Sequence, residues 1–448
     1  MDASQANIEA LAAVFARSLD PAGRVEAEAA LVQASSQPGF PQCLLALIQA
    51  AGSDASGAAP SSSQSAALSP AVRLAASISL KNLCKTAWTA DTAAAQESES
   101  VVPVHEGDKA VVRAQLLPLL FQLAVSTGPS ASTPGLSGVR AQLSETVALV
   151  ASHDFPVAWP ELVTSLADQL KTSGDLSVLL TVLETAHSIF GRWRSAFRSN
   201  ELYSEINLVL EQFAQPFLEF LQRTDASLSD PATPAGPATL QLANVMRLLF
   251  VLFHDLSAQD LPPAFEDNMA SLSALLIKYL SFTRPELAGE SDEAITPEQG
   301  EEDETLPGPL ELIRTEVCEI AELYAHRYLD AFEALPQFVQ GVWEMLGACG
   351  PLRKYDQLVA RAITFLSTVV KMNNQRAMFE AKATLDQFIS RIILPNIALR
   401  PQDEFLFEEE PVDYIRLDME SNVGASLYLI PCSKCFLQVL TEHLLNRH

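Results

Sequence analysis

Apolar side chains recur along most of this chain at alternating intervals of three and four residues. One series begins at Leu176 and a second at Ile206, and each series places its members on one side of a helix. The members are Leu176, Leu179, Leu180, Leu183, Ala186 and Phe190 in the first series, and Ile206, Val209, Leu210, Phe213, Phe217 and Leu221 in the second. No segment shows the sustained two-residue alternation of a half-buried strand. The pattern therefore predicts an all-α protein with about fifteen helices, separated by short breaks at Pro, Gly, Asn or Asp.

The predicted helices pair in order as antiparallel hairpins of roughly 40–47 residues, which is the period of HEAT-type repeats. A chain of 448 residues is too long for one ordinary core, whereas in a repeat array each unit buries its apolar face against its neighbours. Sequence identity between the units is weak, so the assignment depends on helix pairing and length. We predict a HEAT-type helical-repeat solenoid that winds into a superhelix.

Three segments interrupt the helical pattern. Residues 52–69 are rich in Gly, Ala and Ser, which is typical of a flexible insertion within a hairpin. Residues 225–237 contain three prolines, which end helices and hold the chain extended. Residues 287–309 include an acidic run at 301–304 and are expected to form a solvated acidic loop. All three are interpreted as loops that protrude from one continuous array.

Composition narrows the classes of function that remain. The chain has 55 acidic and 29 basic residues, hence a formal net charge of −26, so its surface repels polyanions and we expect no nucleic-acid binding. The same charge would attract a basic protein partner, but it is also what an ordinary hydrated surface carries. No segment long enough to span a bilayer is free of charged residues, polar residues or Pro, so we expect no membrane insertion. Six scattered cysteines are not a disulfide framework and indicate a reducing cytosolic or nuclear setting.

No motif for catalysis or for a cofactor is found. The chain lacks a Gly-rich phosphate loop, a G-x-S-x-G elbow and an H-E-x-x-H helix, and its seven histidines are spread singly. We therefore expect no catalytic residues, no enzyme activity and no cofactor. Near the C-terminus, Cys432 and Cys435 have a metal-like spacing, but the gap to His443 and His448 is shorter than in zinc fingers, so no metal site is assigned.

An aromatic and basic cluster follows the first of the two predicted helices. Its members are Arg192, Trp193, Arg194, Phe197 and Arg198. Stacking on nucleic acid would use such residues. The acidity of the chain favours the other interpretation, in which cations collect at the negative end of a helix.

Eight motifs in order along the chain carry a resemblance to a known family. The first two are VRLAASI followed by SLKNLCKTAW over residues 72–88, and HDFPVAWPEL over 153–162. The others are SNELYSEINLVLEQF (199–213), QDLPPAFEDNM (259–269), LYAHRYLDAF (323–332), KYDQLVARAITFLSTV (354–369), LPNIALR (394–400) and DYIRLDMES (413–421). Together, with compatible spacing, they resemble the importin-β superfamily and, within it, the exportins of the exportin-2 type, which recycle importin-α.

The resemblance implies a domain organisation. Residues 1–125 would be the importin-β N-terminal repeats that bind Ran, with the flexible insertion at 52–69, and residues 126–421 would be exportin-type HEAT repeats. The match corresponds to the N-terminal half of the family's chains and stops near Ser421, so residues 422–448 are interpreted as a divergent tail. We accordingly expect a truncated form with weakened export.

The resemblance also implies a function. The family shuttles between nucleus and cytoplasm through the nuclear envelope, contacting nucleoporins, and binds Ran in its GTP form together with importin-α. We expect the same partners here, with the chain as a monomer. Two alternatives remain open: a generic α-solenoid scaffold with other partners, or a fragment that sequesters Ran without export activity.

Three residues are implied to contact Ran. Lys81, Asn82 and Lys85 lie in the inner-helix region that contacts Ran in the family, and the two lysines are four residues apart, so they share a helical face. An ordinary solvated pair of lysines is the alternative for either residue alone. Asn82 does not have to share their face.

Five further residues are interpreted as structural parts of the family's motifs. They are Trp88, Phe155, Pro156, Trp159 and Pro160. The two prolines bracket an indole, so the turn fixes the start of the next helix while the indole packs between hairpins. Direct contact of this turn with a partner is the alternative.

Overall fold

A computed structural model of the chain describes residues 1–50, 69–89, 102–126, 136–287, 307–350 and 352–372, with short stretches between 375 and 412. Every regular element in these residues is helical, as the apolar spacing predicts. The chain divides into two compact units, Met1–Phe220 and Leu221–His448. The predicted insertion at 52–68, the acidic run at 301–304 and the tail with its cysteine pair lie outside the described residues.

The first unit is built from helical hairpins. Its helices are α1 (Gln5–Ser18), α2 (Arg24–Ser35), α3 (Phe40–Gln49), α4 (Pro70–Ala87), α5 (Glu106–Ser126), α6 (Leu136–Asp154), α7 (Glu161–Thr172), α8 (Leu176–Phe190) and the first part of α9 (Asn200–Ser229). Helices α3 and α4, α5 and α6, and α7 and α8 pack as pairs. The second helices of these pairs also stack, α4 on α6 and α6 on α8, so each hairpin buries its apolar face against the next.

The second unit repeats this arrangement. Its helices are the end of α9, α10 (Pro237–Ser257), α11 (Pro263–Glu266), α12 (Met269–Ser281), α13 (Pro309–Arg327), α14 (Leu335–Ala348), α15 (Asp356–Lys371) and α16 (Leu394–Ile397). Helix α12 pairs with α13, and α14 pairs with α15. Helix α13 packs against both α10 and α15, while α12 packs against α14, so first helices stack on first and second on second.

Local sequence signals place the helix ends well in one case and poorly in another. Helix α8 spans the predicted apolar series, and the Asp175 carboxylate caps it by accepting from the Ser177 amide at 2.8 Å. The sequence predicts a break in the helices that begins at residue 225. This first residue is wrong, because α9 continues to Ser229. Asp225 is held within the helix by two groups of α12, accepting from Lys278 Nζ at 2.7 Å and from the Tyr279 hydroxyl at 2.8 Å.

One proline of this break also acts differently from the prediction, whereas Pro231 and Pro234 lie in the non-helical segment as expected. Pro237 is the first residue of α10, where the N–H that proline lacks is not needed by the helix.

Helix α10 is, among the described residues, the one helix long and apolar enough to cross a membrane by length and composition. Of that apolar stretch, 67% is buried inside the protein, which fits the core helix of a helical array.

A buried carboxylate joins two hairpins of the first unit. Asp108, in the first turn of α5, accepts from the Gly39 amide at 2.8 Å and from Gln42 Nε2 at 2.9 Å. Gly39 precedes α3 with φ of +86°, a left-handed conformation that favours glycine. The Asp108 carboxylate thus satisfies an N–H at the positive end of α3.

Asp108→Ala is expected to lower the free energy of unfolding by about 1–3 kcal/mol, because the Gly39 amide loses its acceptor in a buried position. Urea unfolding followed by circular dichroism measures the change, and faster hydrogen exchange at Gly39 localises it. Glu106→Ala is the matched control: it lies in the same turn with its side chain 76% exposed and loses only a surface ion pair with Lys109, so it should change stability by less than about 1 kcal/mol. Equal effects of the two changes would contradict the buried cap.

Candidate functional site

One exposed line of side chains marks the surface of α4. Ile78, Asn82 and Lys85 follow the four–three spacing of one helical face, and all three are exposed. We call these three residues the α4 stripe. The other side of the helix is apolar and buried; its members include Val72, Ala76, Leu80, Cys84 and Ala87. Because burial uses one face, the stripe lies on the side of α4 that is accessible to a partner.

Lys81 lies at the edge of this surface and is engaged within the protein. Its Nζ is 3.1 Å from Glu145 Oε2 on α6, and only 19% of the Lys81 side chain is exposed. From α6, Arg140 continues the contact to Glu184 on α8 at 3.7 Å. Each such partly exposed pair contributes about 0–1 kcal/mol. Their larger effect is on charge, because Glu145 neutralises Lys81.

Lys85 differs from Lys81 although the two are one helical turn apart. It is exposed, and no described carboxylate lies within ion-pair distance of it. The structure thus separates the two lysines that the spacing placed on one face. Asn82, whose relation to that face the sequence left open, lies with Lys85 in the α4 stripe.

Trp88 ends α4 and is buried, with 2% of its surface exposed. Lys109 Nζ lies 5.8 Å from its ring centroid, within cation–π range. One turn earlier, burial raises the pKa of the Cys84 thiol to about 12, and the nearby Asp154 carboxylate acts in the same direction. A thiol in that state is not a nucleophile at neutral pH. The end of α4 is therefore a packed junction that holds the Cys84 thiol in its interior.

The turn between α6 and α7 buries its aromatic residues. Phe155 and Trp159 are 6% and 5% exposed, and the Trp159 amide donates to the Asp154 carbonyl at 3.0 Å. A cis peptide bond joins Phe155 to Pro156, and α7 begins immediately after Pro160. The structure therefore places both aromatic side chains of this motif inside the first unit.

The aromatic and basic cluster is split between core and surface. Trp193 is buried, stacks on Phe190 with ring centroids 4.8 Å apart, and donates from Nε1 to Glu205 Oε1 at 3.2 Å. Arg192 forms an ion pair with the same Glu205 carboxylate, whereas the Phe197 side chain is 92% exposed. A nucleic-acid base could not stack on Trp193, so the arrangement does not resemble a stacking platform.

The cluster and the Pro–Trp turn meet in one groove of the first unit. Phe155, Pro156, Arg192, Trp193 and Glu205 line this groove, whose volume is about 780 Å³. Sequence spacing had treated the two motifs as separate. In the described part of the chain, no group of three or more His, Cys, Asp or Glu side chains is arranged to hold a metal ion.

Two residues at the surface of α4 were not among those predicted from the sequence. Glu145 neutralises Lys81 from 64 positions away, and no local signal connects them. Ile78 is 38% exposed in the line of Asn82 and Lys85, and its four-residue spacing from Asn82 could have shown this.

Two family descriptions match the sequence. The family described as Cse1 matches residues 189–426, and the importin-beta N-terminal domain matches residues 62–122, which include α4. Among curated relatives, the chain is 33% identical over 351 residues to the importin-alpha re-exporter of Schizosaccharomyces pombe, covering 78% of this chain and 33% of that protein. It is 32% identical to Exportin-2 of Drosophila melanogaster and 31% identical to that of Homo sapiens, each over 94% of this chain and 39% of the relative. The chain thus spans two fifths or less of the length of these relatives.

Solved structures agree with this assignment of the fold. The exportin Cse1 in its cargo-free, cytoplasmic state matches with a TM-score of 0.80 and 29% identity, over 97% of this chain and 42% of that one. Lph2, a bidirectional nuclear transport receptor of S. cerevisiae, matches with a TM-score of 0.60 and 14% identity, over 96% of this chain and 40% of that one, which supports the fold alone. The predicted all-α, HEAT-type solenoid and the resemblance to importin-α exportins are confirmed.

Trp159→Ala is expected to destabilise the first unit by about 3–5 kcal/mol, because it leaves a large cavity beside α7. Val157→Ala, two residues earlier, is the matched control: this side chain is 92% exposed, so its loss should cost less than about 0.5 kcal/mol. Thermal unfolding of the two variants measures both. If Val157→Ala were the more damaging change, the turn would not be packed as described.

Proposed function

Because this chain belongs to the Cse1 family, we propose that it is a nuclear transport receptor that binds Ran in its GTP form and carries importin-α from the nucleus to the cytoplasm. The observation that carries the proposal is the family match over residues 189–426, preceded by an importin-beta N-terminal domain over 62–122. The named relatives include an importin-alpha re-exporter. Since the chain spans two fifths or less of those relatives, the activity of the whole receptor is part of the proposal.

The proposed Ran contact lies on α4, within the importin-beta N-terminal domain match. The α4 stripe offers three complementary contacts: the apolar side chain of Ile78, the amide of Asn82 and the charge of Lys85. Lys85 is the first candidate for a carboxylate of the partner, because no described acidic group neutralises it. Lys81 joins this contact only by exchanging Glu145 for a partner group. The domain division into Ran-binding repeats at 1–125, exportin-type repeats at 126–421 and a divergent tail belongs to the same proposal.

The proposed mechanism is coupled binding. If Ran·GTP and importin-α each favour the same arrangement of the repeats, each raises the affinity for the other by the same factor. Hairpins stacked in series suit this, because small rotations between neighbours add up along an array. GTP hydrolysis on Ran would remove one partner and release the other. The proposal requires nucleoporin contacts during passage and shuttling between nucleus and cytoplasm, and it requires no enzyme activity or cofactor.

A binding experiment tests the proposal in two arms. The immobilised chain is first offered Ran locked in its GTP or GDP form, and then importin-α with each form. We expect retention of Ran·GTP over Ran·GDP by at least about tenfold, corresponding to about 1.4 kcal/mol, and more importin-α when Ran·GTP is present. Equal retention of the two nucleotide forms would refute the transport receptor and favour a scaffold with other partners. If the chain bound Ran·GTP but did not retain importin-α, the proposed export of importin-α would be refuted, and the chain would be a protein that sequesters Ran.

Lys85→Glu is expected to weaken Ran·GTP binding by about tenfold, because it reverses the exposed charge of the stripe. Lys81→Glu should also weaken it, since the new carboxylate faces Glu145 and a Ran surface with the wrong sign. Lys171→Glu on α7 is the control: its side chain is 51% exposed and lies outside the stripe, so affinity should not change. Biolayer interferometry with Ran·GTP measures all three. Affinity unchanged by Lys85→Glu would exclude the stripe from the contact.

A further inference from the structure

A groove lies between α12 and α14 in the second unit. Its volume is about 630 Å³, and its apolar walls include Ile277, Leu280 and Met345. The two helices approach closely at Gly341, where an added Cβ would lie 3.0 Å from Leu280 Cδ1. Ala348, a small and exposed residue, also lines the groove. Gly341 thus permits the close approach of the two helices, and Ala348 is a position at which a larger side chain would extend into the groove.

A guanidinium group with incomplete hydrogen bonding lines this groove. Arg314 extends from α13, and its Nη2 donates to the Phe282 carbonyl at 3.0 Å. Its Nε is buried and donates to no described residue, and no described carboxylate forms an ion pair with the group. A buried donor without an acceptor is destabilising, and more so when the group is charged. An acceptor supplied from outside would recover part of that energy.

The rim of the groove carries side-chain amides that can pair with a peptide backbone. Gln337 and Gln340 are exposed on α14, and Gln340 Nε2 donates to Glu344 at 2.6 Å. Glu344 is therefore already engaged on the rim and does not reach Arg314 within ion-pair distance. The groove combines apolar walls, a polar rim that includes the Glu344 carboxylate, and one cation without an ion-pair partner, which can serve as the single anchor for an anionic side chain of a peptide.

We propose that this groove binds an extended peptide segment of a protein partner, in which an apolar residue is followed by an acidic one. The apolar side chain fills the space between Ile277, Leu280 and Met345. The carboxylate pairs with Arg314, whose guanidinium turns toward it and gives Nε–H the acceptor it lacks. A nucleic-acid phosphate backbone fits less well, because apolar walls flank the guanidinium and Arg314 is the one cation among the described residues that line the groove.

Fluorescence anisotropy on the full chain tests the site with short Gly/Ser peptides that carry Leu-Glu, Leu-Gln or Ser-Glu at the centre. We expect saturable binding of the Leu-Glu peptide, and binding of the other two weaker by about tenfold each. Arg314→Gln should reduce the affinity for Leu-Glu to the level of Leu-Gln, and leave the affinity for Leu-Gln unchanged. Ala348→Leu, which fills the groove from an exposed position, should weaken binding of all three.

Arg361→Gln is the matched control, because it makes the same substitution in the same unit at an arginine whose Nε is 2.9 Å from Glu319 Oε1. It should leave peptide binding unchanged, and circular dichroism checks that each variant is folded. The proposal is overturned if the Leu-Glu peptide does not saturate, if Leu-Gln binds as well as Leu-Glu, or if Arg314→Gln and Arg361→Gln act alike. Binding that needs leucine and ignores Arg314 would mean apolar docking without a carboxylate.

Discussion

A helical hairpin has an apolar face that it cannot bury alone, and this constraint organises both units. In the first, α4 packs on α6 and α6 on α8; in the second, α13 packs between α10 and α15. The residues at these contacts, such as Val147 and Leu183, are fully buried, and each contributes about 1.5–3 kcal/mol. The ion pairs that cross the same helices contribute far less. Packing therefore determines which helices are neighbours. The charged side chains that packing leaves exposed determine the chemistry of the surfaces.

The helices could be predicted because their signal is local. Helix α8 follows one apolar series, and the Asp175 side chain caps it from within the same segment. The end of α9 could not be predicted, because Asp225 is stabilised by Lys278 from 53 positions away. Asp108 likewise caps α3 from 69 positions away. In both places a non-local hydrogen bond stabilises a helix boundary, and the local sequence carries no signal for it.

The candidate surface shows the same limit at the level of single side chains. Lys81 and Lys85 are equivalent in spacing, yet Glu145 neutralises only Lys81, and that carboxylate belongs to another hairpin. The aromatic residues of the motifs are equally ambiguous in sequence. Trp193 has arginines on both sides but stacks inside the unit on Phe190, while Phe197 is exposed. Burial of an aromatic side chain depends on which helix packs above it, and adjacent residues do not encode that.

Charges left without a partner are therefore the most informative surface features of such a fold. In the second unit, Glu319 on α13 accepts from Arg361 at 2.9 Å, so this carboxylate already has a cationic partner within the fold. Arg314, on the same helix, has no such carboxylate. Lys85 on α4 likewise has no described carboxylate within ion-pair distance. A cation such as Arg314 or Lys85 forms no ion pair with a described carboxylate, so it gains no such stabilisation from the hairpins beside it. Such a cation is available to a partner, and it is there that specificity for a carboxylate can arise.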